Sequence, residues 1–144
     1  MIQIGAAHSL GLPMSLKILS TCLKTLRAAG WLCVGLLVWL SWIPADLEIR
    51  TGMAGQIEHA IAYCGTGAIL AFAYQEPRRW RIAAGLVMLA GVLEVGQLWV
   101  PGRTSQPIDF AASSVGAVMG VLMGRAAIST LIGWAMRPSR GGIG

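Results

Sequence analysis

Four apolar runs, at about residues 28–43, 57–74, 82–100 and 108–124, leave this chain few ways to fold. Each approaches the ~20 residues with which an α-helix crosses a ~30 Å hydrocarbon core. Backbone in lipid must satisfy its own hydrogen bonds, and a helix does so within one segment. The expected fold is therefore an all-α membrane protein, a bundle of four transmembrane helices. With a mean hydropathy of +0.68 and 12% charged residues, the 144-residue chain is far from a soluble domain, which carries about 25% charge. The net charge of +5 does not point to nucleic acid, because the basic residues form no single stripe but sit between apolar runs.

That placement sets the expected orientation. Lys17, Lys24, Arg27, Arg78, Arg79, Arg81, Arg125, Arg137 and Arg140 fall on one side of the membrane, and only Arg50 and Arg103 on the other. Lysine and arginine concentrate on the cytoplasmic side, so both termini are expected in the cytoplasm. Five of the six acids, all but Glu76, then lie on or near the outer side. The expected location is a membrane bordering the cytoplasm, crossed several times.

Residues 1–27 read as a cytoplasmic tail and an interfacial segment. Residues 1–13 have no helical period, and Met14 opens a more usual start for a membrane protein than Met1. Leu16, Leu19, Leu23 and Leu26 recur at helical spacing beside Lys17 and Lys24, which predicts a short basic amphipathic helix at the inner surface. Ile43 and Pro44 make a poor cleavage site ahead of Ala45, so the first run is expected to stay as an uncleaved anchor, with Trp31, Trp39 and Trp42 near its ends. Residues 126–144 hold AAISTLIGWAM and a polar tail; 126–136 either extend the fourth helix past Arg125 or turn into the interface. Cys22, Cys33 and Cys64 have no metal-type spacing and read as small packing residues.

In the fourth run Ala112, Gly116, Gly120 and Gly124 place a small residue at every fourth position, a row along which another helix can approach closely. Ala60, Cys64, Ala68 and Phe72 begin a weaker ridge in the second run, a plausible partner face.

The polar residues carry the functional reading. Glu94 lies six residues inside the end of the third run at Val100, about 9 Å deep at 1.5 Å per residue, with Gln97 on the same face nearer the water. Glu58 and His59 open the second run, with Tyr63 one turn below; Arg103 sits in the short loop and Asp109 opens the fourth run. Each has an ordinary reading taken alone. Asp109 and Glu58 suit helix N-termini, His59 an interfacial hydrogen bond, and Arg103 a snorkelling loop position. Glu94 differs, because a carboxylate inside a span costs several kcal/mol unless paired or protonated.

Three acids against Arg103 leave the cluster negative, which calls for a protonated Glu94, a cation or a donor-rich headgroup. Arg103 suits bidentate binding of a phosphate or carboxylate. The leading expectation is an outward pocket for a lipid or cell-wall-precursor headgroup. In it Arg103 engages an anionic group, Glu94, Gln97 and His59 orient the rest, and Asp109 positions Arg103 or caps the fourth helix. Two rivals stand beside it: a membrane enzyme acting on envelope lipids with Glu94 or His59 as acid/base, and a structural subunit docking on a membrane-protein partner through its glycine row. One histidine without a second at helical spacing makes a poor metal set, and neither a metal nor another cofactor is expected.

The order Glu94-x-x-Gln97, Pro101-Gly102-Arg103, Asp109 and Gly116, with His59-x-x-x-Tyr63 before it, resembles the hallmark of VanZ-like membrane proteins over roughly residues 28–125. Two positions depart from that pattern: Gly55 and Gln56 stand where the family often has Asp-Lys, and Ser113 where it often has Asn. The resemblance implies a small polytopic cell-envelope protein. The founding member is associated with low-level resistance to the glycopeptide teicoplanin, which implies an effect on glycopeptide susceptibility; most relatives have no assigned activity.

Overall fold

The structure, a computed structural model, describes residues 14–44, 47, 52–74 and 79–135. Residues 1–13 and the tail, and with them Arg50, Arg78, Arg137 and Arg140 of the orientation argument, lie outside the described residues. Among the described residues there are four α-helices: α1 (Met14–Trp42), α2 (Gly55–Ala73), α3 (Arg79–Gly96) and α4 (Pro107–Ala135). Three stretches, Lys17–Trp42, Trp80–Trp99 and Pro107–Trp134, are long and apolar enough to cross a membrane.

The helix boundaries follow from local chemistry. Ile43 precedes Pro44, which disfavours helical backbone at the residue before it, and α1 stops at Trp42. Ala54 is extended (φ −61°, ψ 135°), and its carbonyl accepts the amides of Ile57 and Glu58 to open α2. A tight 3-10 turn, Gln97–Trp99, continues α3. The turn after it has Pro101 and then Gly102 at φ 75°, with the Arg103 amide donating to the Val100 carbonyl at 3.2 Å. This is a type II turn: proline presets its first central residue, and glycine takes the positive φ required at the second. α4 starts with Pro107 in its first turn, where a missing N–H costs nothing.

One expectation is corrected here, and one left open is decided. The separate short amphipathic helix before a first span at 28–43 does not exist as such: α1 is one 29-residue helix. Arg27, Ala28 and Ala29 include no breaker, so the periodic leucines run straight into the apolar segment. Residues 126–135 do not turn away but prolong α4, because one long arginine at 125 does not interrupt a helix.

The core is built on close backbone approach. α2 packs chiefly on α4, then on α1, while α3 lies along α4. A methyl group added at Gly116, Gly120 or Gly124 would meet the carbonyls of Ala60, Cys64 and Ala68 respectively, and one at Gly67 would come within 2.8 Å of the Ala117 carbonyl. Both small-residue rows therefore face each other within the chain. Around this seam Tyr63, Leu70, Leu86, Ala90 and Ala117 form the main buried cluster, and Ala71, Ala83 and Val121 a second. Polar Gln56, Glu58 and His59 lie in the first turns of α2, which is not among the three most apolar stretches. Packed most extensively against its neighbours, above all α4, α2 needs less apolar surface of its own.

Candidate functional site

The C-terminal end of α1, the start of α2, the 3-10 turn and the start of α4 meet at one end of the bundle. What holds them is a set of polar side chains answering helix ends. A helix leaves its last carbonyls without partners inside itself and carries negative charge there. Arg103 supplies both needs at α1: Nη2 donates to the Leu40 carbonyl at 2.8 Å and Nε to the Ile43 carbonyl at 3.1 Å. The type II turn delivers Arg103 to that position, linking the Pro-Gly-Arg string to a contact across 60 residues of chain.

Glu94 answers the opposite charge. It is 8% exposed, and its Oε1 accepts the backbone N–H of Gln106, the residue whose carbonyl receives the Asp109 and Phe110 amides at the start of α4. The carboxylate thus sits at a helix N-terminus with a donor in hand. Gln97, 2% exposed, donates from Nε2 to the Ser41 hydroxyl at 3.3 Å and lies 3.5 Å from the Ser41 carbonyl, tying the turn after α3 to α1. Thr66 answers only its own helix, donating to the Ala62 carbonyl at 2.8 Å.

Beside these ties lie two cavities. One, of about 180 Å³, is polar and lined by Gln56, Glu58, His59, Gln97, Arg103, Thr104, Gln106 and Asp109, with Met53, Gly55 and Gly102. The other, of about 230 Å³, is mainly apolar, lined by Leu37, Trp39, Leu40, Ile43, Leu47, Ala62 and Tyr63. Glu58, His59 and Arg103 line both. Of the seven residues singled out from sequence, six therefore line a cavity. Glu94 lines neither.

One atom in this region has no answer in the fold. Asp109 Oδ1 is buried and accepts no hydrogen bond among the described residues, although Asp109 lines the polar cavity. Buried acceptors are nearly always satisfied, and one left unpaired costs about 1–3 kcal/mol. Ser114 Oγ, in the next turn and a half of α4, is the other such atom among the described residues.

No three His, Cys, Asp or Glu side chains among the described residues come together as a metal set, so His59, Glu94 and Asp109 do not converge on one ion. Residues that sequence reasoning passed over are Ser41, Gln106, Gln56 and Thr104. Ser41 carried a signal, being a hydroxyl between Trp39 and Trp42 in an apolar run; the other three read only as loop or helix-start polarity. The glycine row, filled by α2, is not exposed for docking at Gly116, Gly120 or Gly124. In comparisons with known proteins the chain matches no family model, no curated protein and no solved structure.

Proposed function

We propose that this chain is a VanZ-like, four-span protein of the bacterial cytoplasmic membrane, with both termini inside. Its outward cavities hold an amphiphilic lipid or lipid-linked cell-wall precursor. The headgroup occupies the polar cavity and the first part of the chain the apolar one, with Glu58, His59 and Arg103 at the junction. The observation that carries this reading is the buried, unanswered Asp109 Oδ1 beside a polar cavity that shares its wall with an apolar one. An orphaned acceptor selects a ligand that donates, so the headgroup bears hydroxyl or ammonium groups near Asp109. His59 and Gln56 supply further polar contacts. Arg103 offers its charge to a phosphate while its Nε and Nη2 stay on α1.

Native mass spectrometry of protein released in mild detergent tests this. Wild type is expected to carry a lipid adduct that Asp109→Asn weakens and Ala62→Phe, which fills the apolar cavity, removes. A wild-type protein that carries no lipid, or variants that carry as much as wild type, would overturn the reading. Parallel envelope-antibiotic sensitivity of the same strains tells whether the bound lipid matters to the wall.

A further inference from the structure

At the far end of the bundle from the polar cavities, residues of α1, α2 and α3 line a third space of about 630 Å³. Its walls are apolar: Trp31 and Val34 from α1, Leu70 from α2, and Ile82, Leu86 and Leu89 from α3. Gly85 forms part of the wall, and a methyl group added there would meet nothing within 4 Å, so the glycine leaves space that no other side chain fills. Arg81 and Tyr74 line the same space at its outer edge, and Tyr74 is fixed there by the Trp31 indole, which donates to its hydroxyl at 3.0 Å.

Depth and charge say what fits. Arg81 and Leu89 are eight residues apart on one helix, about 12 Å at 1.5 Å per residue. One leaflet of a ~30 Å hydrocarbon core is about 15 Å deep, so the groove spans most of a leaflet. Its mouth is basic. Lys24, Arg27 and Arg81 lie at this end, whereas Glu58, Glu94 and Asp109, the acids among the described residues, lie at the other. Arg27 is held in place, its Nε donating to the Ala73 carbonyl at 3.2 Å and its guanidinium 4.9 Å from the Tyr74 ring centre. Arg81 is exposed at the mouth.

We propose that this groove is a binding site for an anionic phospholipid, distinct from the headgroup site at the opposite end. One acyl chain lies along Leu86 and Leu89 over Gly85, and the phosphate meets Arg81 with Arg27 and Lys24 nearby. The basic mouth selects against a zwitterionic lipid.

The full chain is purified, exposed to equal amounts of phosphatidylglycerol and phosphatidylcholine in mixed micelles, and the retained lipid counted by native mass spectrometry. Wild type is expected to keep phosphatidylglycerol about fivefold over phosphatidylcholine, the factor set by one basic side chain at a membrane surface. Arg81→Gln should bring the two within twofold. Gly85→Leu, filling the groove, should remove the preference for phosphatidylglycerol, while Gly85→Ala, too small to fill it, keeps it. Equal retention of the two lipids by wild type, unchanged preference in Arg81→Gln, or a doubled mass from a second copy seated in the groove would each overturn the assignment. If Gly85→Leu loses helicity, the Arg81→Gln ratio decides alone.

Discussion

Gly120→Ala isolates the seam on which the fold depends. An added methyl group would lie 2.8 Å from the Cys64 carbonyl carbon and 2.9 Å from its Cα, and nearer still to the carbonyl oxygen. Comfortable carbon contacts begin at about 3.5 Å, so α2 and α4 must part by roughly 1 Å. Every atom in the way is backbone, and no rotamer change relieves the contact. Overpacking of this kind costs about 1–3 kcal/mol. Against it stands the gain of about 0.5–1 kcal/mol from replacing glycine within a helix. Parting the helices also loosens the approaches at Gly116 and Gly124, so the cost takes the upper part of its range and the net loss is about 1–2 kcal/mol. Gly65→Ala is the control. Its methyl group meets nothing within 4 Å, so it should gain up to about 1 kcal/mol. The two variants should therefore differ by about 2–3 kcal/mol in reversible unfolding of the purified protein, followed by far-ultraviolet circular dichroism as denaturing detergent displaces mild detergent. A Gly120→Ala protein as stable as Gly65→Ala would refute the close α2–α4 contact itself.

The polar ties make further predictions, readable in the same unfolding assay. Arg103→Ala removes the donors to the Leu40 and Ile43 carbonyls and should cost about 2–3 kcal/mol, since charge-assisted bonds contribute about 1.5–3 kcal/mol each and Arg103 is partly exposed. Wild-type stability in that variant would show the arginine is not a tie. Glu94→Gln keeps a carbonyl for the Gln106 amide and should change stability by less than about 1 kcal/mol, whereas Glu94→Ala orphans that amide and should cost about 1–3 kcal/mol. Equal losses in the two variants would mean the charge, not the acceptor, is what counts. Asp109→Asn gives up only the favourable charge at the start of α4, about 0.3–1 kcal/mol, yet should weaken lipid retention tenfold or more. A variant that unfolds easily but keeps its lipid would reverse the role assigned to Asp109.

Much of the architecture was legible because lipid permits so few folds. The second run, read at 57–74, is α2 at Gly55–Ala73, and the third, read at 82–100, is α3 with the turn that follows it. The two small-residue rows meet because a repeat of four keeps one face of a helix narrow from end to end. Two boundaries were not legible. A change from amphipathic to uniformly apolar pattern at Ala28 looks like a new element, but helices end at breakers, and Arg27, Ala28 and Ala29 include none. Arg125 likewise looks like a stop, although a single charge on a long flexible stem leaves the backbone ladder intact. At the site, sequence shows which side chains are out of place in an apolar chain, but not which of them are answered by helix ends. That depends on where the type II turn points Arg103 and on the Glu94 carboxylate meeting an amide twelve residues on.

This distinction reorders the site. Depth in the membrane made Glu94 the residue most in need of a role, and its charge made Arg103 the natural anchor for an anion. Both have partners inside the fold, as does Gln97 through Ser41, and a group already satisfied contributes to a ligand only what its remaining valences allow. The residue least conspicuous in sequence, Asp109, which reads as a routine acid at a helix start, is the one whose buried oxygen the fold leaves unanswered. Ligand specificity is set by such groups, because an unmet acceptor penalises every occupant that brings no donor. Binding should therefore depend more steeply on Asp109 and His59 than on Glu94, while stability should show the reverse order.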